Sequence, residues 1–135
     1  MLIKLDLQLD VPLYQQIRTQ IIEGIGAGRL KPGQPLPSVR HLASELGIHF
    51  HTVNKAYALL KQDGFILIHR QRGVVVHPDR GPGLNETYEN TLKEAVKPLV
   101  AEAFSRGMAK EELLRLVEAL YDSLDLERNA NGPGQ

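Results

Sequence analysis

The sequence predicts an α+β fold, with three helices and a β-hairpin in a first part and two amphipathic helices in a second. Three observations support this prediction. Apolar residues recur at helical spacing up to Leu60, two short β-rich runs follow, and a Pro/Gly-rich stretch then precedes a second helical part. With 135 residues, of which 42% are hydrophobic, the chain can form one ordinary domain and an appendage.

The first elements precede the loop KPGQPLP at residues 31–37. Apolar and polar residues alternate in LIKLDL (2–7), which predicts a short half-buried strand. A helix is expected after Pro12, ending near Gly26. Its apolar positions are Leu13, Tyr14, Ile17, Ile21 and Ile25. In the loop, Pro32 and Gly33 fit the central positions of a type II turn, because glycine tolerates the positive φ required there.

Two further helices follow with a glycine between them. Ser38 can cap a helix that runs to about Leu46, and Gly47 ends it. The next helix is expected to begin near 49–52 and to end near Gly64. Its inward-facing residues are Val53, Ala56, Leu59 and Leu60.

A hairpin and a boundary come next. The β-rich runs FILIH (65–69) and VVVH (74–77) flank the four residues RQRG, a pattern typical of a hairpin. The segment PDRGPG (78–83) is dense in Pro and Gly, which indicates the end of the first domain. We therefore predict a first domain at 1–78 and a linker at 79–83.

Two amphipathic helices are predicted in the second domain, at 84–127, and residues 128–135 are expected to form a disordered tail. Each helix has one apolar stripe, which buries little surface when the pair is alone. A second copy of the chain is the simplest partner, so we predict dimerisation through these stripes. Their residues are Leu92, Val96, Leu99, Val100, Ala103, Leu113, Leu116, Val117, Leu120 and Leu124.

The formal net charge is zero, but the charges are unevenly distributed. Residues 1–78 contain nine Lys and Arg against five Asp and Glu, for a net charge of +4, and all five histidines. Residues 79–135 contain seven Lys and Arg against eleven Asp and Glu, for a net charge of −4. This asymmetry indicates a basic part that meets a polyanion.

The helix pair around Gly47 suggests a helix-turn-helix that reads DNA. An α-helix fits the major groove, where base edges differ in their donor and acceptor pattern. In this interpretation Leu42 and Ala43 support the recognition helix from the preceding helix, and Val53 holds it against the domain. The small side chain of Ala43 allows the two helices to cross closely.

The segment VPLYQQIRTQIIEGIGAGRLKPGQPLPSVRHLASELGIHFHTVNKAYALLKQDGF resembles the DNA-binding domain of the GntR family of bacterial transcription regulators. The shared pattern runs PLYxQI, GxLxPGxxLPSxRxLAxxLG and TVxxAYxxLxxxG, and the resemblance covers about residues 11–78. The C-terminal segment VKPLVAEAFSRGMAKEELLRLVEAL resembles the two-helix tail of the YtrA-like subfamily. The resemblance implies a winged helix-turn-helix domain followed by a small all-α dimerisation domain.

By the resemblance, Arg40 meets a phosphate or a guanine edge, residues 49–54 begin the recognition helix, and 70–73 form the wing. Arginine has a planar donor fork that suits guanine and phosphate, and short polar side chains can bond base edges. The DNA-binding residues implied are Ser38, Arg40, His49, Phe50, His51, Thr52, Asn54, Lys55, Arg70, Gln71, Arg72 and Gly73.

The chain departs from the family pattern at two places. His49-Phe50-His51 replaces a run that is commonly polar and often basic, so Phe50 either contacts a thymine methyl or packs against the protein. In the wing, Gln71 stands where the family usually has the first glycine of Gly-x-Gly. Arg70 and Arg72 keep the positive charge of the wing.

Other classes of function find little support in the sequence. Cysteine is absent, which excludes disulfides and thiolate chemistry and fits a reducing cytoplasm. No apolar run has the about 18 residues of a membrane span, and no signal peptide is evident. His49 and His51 are two residues apart, so a helix points them to different faces, and no metalloenzyme or serine-hydrolase motif occurs. We expect no enzyme activity, no cofactor, no metal and no membrane partner.

The expected protein is a cytoplasmic homodimeric repressor that binds an inverted-repeat operator in double-stranded DNA, with half-sites about 34 to 36 Å apart. A small-molecule effector is left open. Two alternatives remain: a histidine-dependent metal-responsive regulator, and a winged-helix module that contacts protein or binds DNA nonspecifically. If the histidines face phosphate, DNA binding should be tighter at about pH 6 than at about pH 7.5.

Overall fold

The computed structural model describes residues 1–79 and 81–132, which form two compact units. The first comprises Met1–Pro82 together with Glu127–Gln135, and the second is Gly83–Leu126. The elements in chain order are α1 (Leu13–Gly26), α2 (Val39–Leu46), α3 (Phe50–Gln62), β1 (Ile66–His69), β2 (Gly73–Val76), α4 (Glu86–Ser105) and α5 (Lys110–Ala130). This order confirms the predicted α+β class.

Helix α3 lies at the centre of the first unit, because both α1 and α2 pack against it. Its inward positions Val53, Ala56 and Leu60 are completely buried, as the apolar spacing predicts. They meet Ile17 of α1, which is also completely buried, and Leu42 of α2. The core therefore fixes the two helices of the helix-turn-helix relative to each other.

The helix boundaries follow from local chemistry. The Ser38 hydroxyl oxygen accepts a hydrogen bond from the backbone N–H of His41 at 3.1 Å, which caps α2. Gly47 ends α2 in the left-handed conformation, with φ of 66°. The type II turn is confirmed as well: Gly33 has φ of 77°, and the Gln34 N–H donates to the Lys31 carbonyl at 3.0 Å.

Strands β1 and β2 form an antiparallel hairpin in which Ile66 pairs with Val76 and His69 pairs with Gly73. The loop before α2 lies along β2, where the Leu36 N–H donates to the Val74 carbonyl at 2.8 Å. This contact joins the hairpin to the segment that leads into α2.

The strand expected at 2–7 is wrong, because those residues have no strand partner. Side-chain amides of α1 satisfy the backbone instead. The side-chain amide of Gln20 accepts a hydrogen bond from the Lys4 N–H and donates one to the Lys4 carbonyl. The side-chain amide of Gln16 forms the same pair of hydrogen bonds with the backbone of Asp6. These bonds hold Ile3 in the core without a β-ladder.

The expectation of a disordered tail from residue 128 is wrong for 128–130, where α5 continues to Ala130. Contacts within the first unit explain the extra turn. The Asn131 side chain donates to the Ala27 carbonyl at 2.7 Å, and the Lys31 ammonium donates to the Asn131 carbonyl at 2.6 Å. Glu127 forms an ion pair with Arg29. Residues 133–135 of the expected tail lie outside the described part of the chain.

In the second unit, α4 and α5 are joined by residues 106–109, and neither helix has a buried residue. Leu99 and Leu120 of the predicted stripes are 67% and 62% exposed. Of the other stripe residues, Leu92, Val96, Val100, Leu116, Val117 and Leu124 are exposed, while Ala103 and Leu113 are half-buried. Among the described residues, no helix is both long and apolar enough to cross a membrane.

Candidate nucleic-acid interface

The predicted DNA-binding residues all lie in the first unit, on α2 and α3, at the residue before each of these helices, and at the tip of the hairpin. All are exposed except Thr52, which is half-buried. Four of them carry a positive charge and none carries a carboxylate. The four are Arg40, Lys55, Arg70 and Arg72, and none of these takes part in an ion pair within the part of the chain that the structure describes. Their charges are therefore free to meet an anion.

Arg40 and Phe50 are brought together by the crossing of α2 and α3. The guanidinium carbon of Arg40 lies 5.0 Å from the centre of the Phe50 ring, which is cation–π distance. The Glu45 carboxylate, on the same helix as Arg40, forms no ion pair with it and lies 3.5 Å from the His41 Nε2 atom. The ring thus supports the guanidinium without using its hydrogen-bond donors.

Phe50 also contacts the following residue, because its ring centre lies 4.2 Å from that of His51. Phe50 is 38% exposed, so packing against Arg40 leaves part of the ring in solvent. The two alternatives for Phe50, packing against the protein and contact with a thymine methyl, therefore do not exclude each other. The ring packs against neighbouring side chains and still has an apolar edge in solvent.

The other exposed residues of α3 continue this surface toward α1. His49 is the residue before the helix and makes no side-chain cap bond. The Lys55 ammonium lies 4.0 Å above the Tyr14 ring of α1, a second cation–π contact. A shallow hollow of about 420 Å³ lies beside this pair and is also lined by His51 and Thr52.

The wing tip contacts the loop before α2. The Arg72 guanidinium donates to the Gly33 carbonyl at 3.4 Å. The backbone N–H groups of Gln71 and Arg72 are bonded within the tip, to the ring of His69. Arg70 and Gln71 keep exposed side chains.

Tyr57 is a residue whose role the sequence did not reveal. Its hydroxyl donates to the Pro37 carbonyl at 2.8 Å, which ties α3 to the residue before the Ser38 cap. Burial raises the pKa of Tyr57, and the charge of Glu45 raises it further. A buried tyrosine hydroxyl needs a partner, but the sequence does not say which carbonyl supplies it.

The histidines are spread over the first unit. No group of three or more His, Asp or Glu residues in 1–79 and 81–132 could hold a metal ion.

A helix-turn-helix with a two-stranded wing and an exposed surface of unpaired cations defines a winged-helix DNA-binding protein. The chain matches the family described as bacterial regulatory proteins, gntR family, over residues 13–76. It is 36% identical over 112 residues to the HTH-type transcriptional repressor YtrA of Bacillus subtilis, covering 83% of this chain and 86% of that protein. The chain belongs to the gntR family of DNA-binding transcription regulators.

Two solved structures resemble this chain. YtrA from Sulfolobus acidocaldarius, a GntR-family transcription factor, is 44% identical and matches 75% of this chain and 99% of its own, with a TM-score of 0.59. A transcriptional antiterminator from Listeria monocytogenes EGD-e matches 92% of both chains with a TM-score of 0.84. Its identity is 22%, so this second likeness concerns the fold alone.

Proposed function

We propose that the protein is a cytoplasmic homodimeric repressor whose two first units bind the half-sites of an inverted-repeat DNA operator. The observation that carries this proposal is the Arg40–Phe50 pair beside the start of α3, together with the exposed cations on α3 and at the wing tip. Arginine forks and a partly exposed ring can read guanine edges and thymine methyl groups in the major groove.

In this proposal the site residues divide into two roles. Arg40, Phe50 and Asn54 face base edges. The remaining site residues position the protein on phosphate or support the wing. Those residues are Ser38, His49, His51, Thr52, Lys55, Arg70, Gln71, Arg72 and Gly73.

The dimer is supported by the unburied stripes of α4 and α5. Leucine and valine side chains along both helices remain exposed in the single chain, and each fully buried apolar side chain contributes about 1.5 to 3 kcal/mol. A second copy presents the same stripes, which suits a two-fold interface. Repression is supported by the similarity to the Bacillus subtilis protein, which is named a repressor.

A competition titration with purified protein tests the proposal. A labelled duplex that the protein has selected from a random-sequence pool is bound, then displaced either by the same duplex without label or by random-sequence duplex, at several salt concentrations. We expect random duplex to be at least about a thousandfold weaker, and both affinities to fall steeply with salt. Equal competition by both duplexes would instead favour a nonspecific DNA-binding module.

A further inference from the structure

We propose that His69 is a positioning residue that shapes the wing tip through its neutral imidazole. His69 ends β1, and its Nδ1 atom accepts hydrogen bonds from the backbone N–H of Gln71 at 3.1 Å and of Arg72 at 3.2 Å. Both donors belong to the three residues between the strands, which have no partner in the β-ladder. The ring therefore supplies the acceptor that the tip otherwise lacks.

The arrangement imitates a turn that Asp and Asn often form. Their side-chain oxygen accepts from the backbone N–H two residues later, which organises a tight turn. Here a histidine nitrogen takes that place. The bonds fix the backbone from which Arg70 and Arg72 extend.

Two N–H donors at one ring nitrogen select the tautomer of the neutral ring. Nδ1 must keep its lone pair, so the neutral ring carries its proton on Nε2. Protonation of Nδ1 would replace the acceptor with a third donor and break both bonds. The tip would then lose its fixed geometry.

The charged groups around the ring give it no replacement partner. Arg70 and Arg72 flank it on the tip, and β2 opposite contributes Gly73 and Val74. On the loop packed against the hairpin, the Lys31 ammonium is bonded to the Asn131 carbonyl. Within the described part of the chain, no carboxylate forms an ion pair with His69.

His77 offers an instructive contrast at the end of β2. Its Nδ1 accepts from the Asp79 N–H at 3.1 Å, but the Asp79 carboxylate also lies 3.9 Å from that nitrogen. A protonated His77 could therefore donate to Asp79, whereas a protonated His69 has only donors in front of it. A lower pH should therefore disrupt the hydrogen bonds at His69 in the wing tip more than those at His77.

The shape of the tip can be tested without DNA by nitrogen NMR on the full-length protein. We expect the neutral His69 ring to show the Nε2–H tautomer, and the amide signals of Gln71 and Arg72 to titrate with the same midpoint as the ring. In His69→Asn these amides should stay fixed between about pH 7.5 and 5.5. In the control His41→Asn they should titrate as in the wild type. An Nδ1–H tautomer, or tip amides indifferent to His69, would overturn the proposal.

The consequence for binding rests on the proposed function and uses the same variants. His69→Asn keeps an acceptor and should bind DNA within about twofold of wild type at neutral pH, whereas His69→Ala should bind about fivefold more weakly. On acidification the wild type should lose affinity relative to His69→Asn by about fivefold, because only its tip loses an acceptor. This loss opposes the gain expected from the other histidines, which both proteins share.

Identical pH responses of wild type and His69→Asn would show that the ring does not position the wing for DNA. If neither the wild type nor any variant binds a duplex while the NMR results are as expected, the proposed DNA-binding function is wrong. The proposed role of His69 in shaping the wing tip is then still supported. The two outcomes are therefore distinguishable.

Discussion

Arg40 shows how much of the interface depends on single contacts. Its position after the Ser38 cap is readable from the sequence, but whether Glu45 pairs with it is not. The stacking on Phe50 is not readable, because it requires the crossing geometry of α2 and α3. Phe50, which departs from the family pattern, thus packs against the Arg40 guanidinium and supports it.

We predict that Arg40→Ala weakens operator binding by about 1 to 3 kcal/mol and relaxes preference at one base position. The physical reason is the loss of a bidentate donor that has no ion-pair partner in the first unit. Fluorescence anisotropy with operator and single-base variants measures both effects. Arg106→Ala removes the same charge at the residue that follows α4, where Arg106 pairs with Glu102, and should change affinity little. Equal losses in the two variants would contradict a base-reading role for Arg40.

Tyr57→Phe should destabilise the fold by about 1 kcal/mol, because the Pro37 carbonyl loses its hydrogen-bond partner. The raised pKa of Tyr57 also predicts alkaline sensitivity. The folded state holds the phenol proton more tightly than the unfolded state, so stability is full below about pH 10 and falls as the pH rises above it.

Denaturant unfolding at neutral and alkaline pH checks this prediction. The loss of stability above about pH 10 should be smaller in Tyr57→Phe than in wild type. The exposed Tyr88→Phe serves as control and should keep the wild-type profile. An unchanged alkaline loss in Tyr57→Phe would rule out this tyrosine as its source.

At the scale of elements, apolar spacing and capping residues predict five helices and a hairpin, because these signals are local. The type II turn at Pro32–Gly33 and the cap at Ser38 were readable for the same reason. The absence of a strand at 2–7 was not readable, since the amides of Gln16 and Gln20 satisfy that backbone from another element. The extra turn of α5 likewise depends on Asn131 meeting Ala27 far away in the sequence.

The turn of the helix-turn-helix can be tested with a pair of glycine substitutions. Gly47→Ala should destabilise the protein by about 1 to 2 kcal/mol, because an alanine at φ of 66° is strained even though its Cβ meets no neighbour. Gly26→Ala adds the same methyl group at the end of α1, also in open space, and should stabilise by about 0.5 kcal/mol. Thermal unfolding should show a lower midpoint temperature for Gly47→Ala and a slightly higher one for Gly26→Ala. Equal changes of the midpoint in the two variants would refute the conformational explanation.

In the whole molecule, the sequence indicates a basic part and a part with apolar stripes, and it predicts that a second copy of the chain covers the stripes. The single chain does not bury them. A protein that binds two half-sites needs two first units. In the proposed dimer, the second units join two chains and so bring two first units together. The stripes and the DNA-binding surface are therefore parts of one proposal.

We predict that Leu120→Asp converts the dimer to a monomer and weakens operator binding by at least about a hundredfold, because linked half-site binding is lost. The substitution places a charge in the middle of an exposed apolar stripe. Sedimentation velocity measures the first effect and anisotropy the second. Leu7→Asp makes the same change at a residue of the first unit that is 77% exposed, and it should leave both properties intact. A dimer that survives Leu120→Asp would place the interface elsewhere.

The central claim, that two copies of this chain read one symmetric DNA site, is tested most directly by selecting bound duplexes from a random-sequence pool. We expect the selected duplexes to be enriched in an inverted repeat whose half-sites are centred about one helical turn apart, roughly 34 to 36 Å. A bound fraction with no common sequence, or with one unpaired half-site, would contradict it.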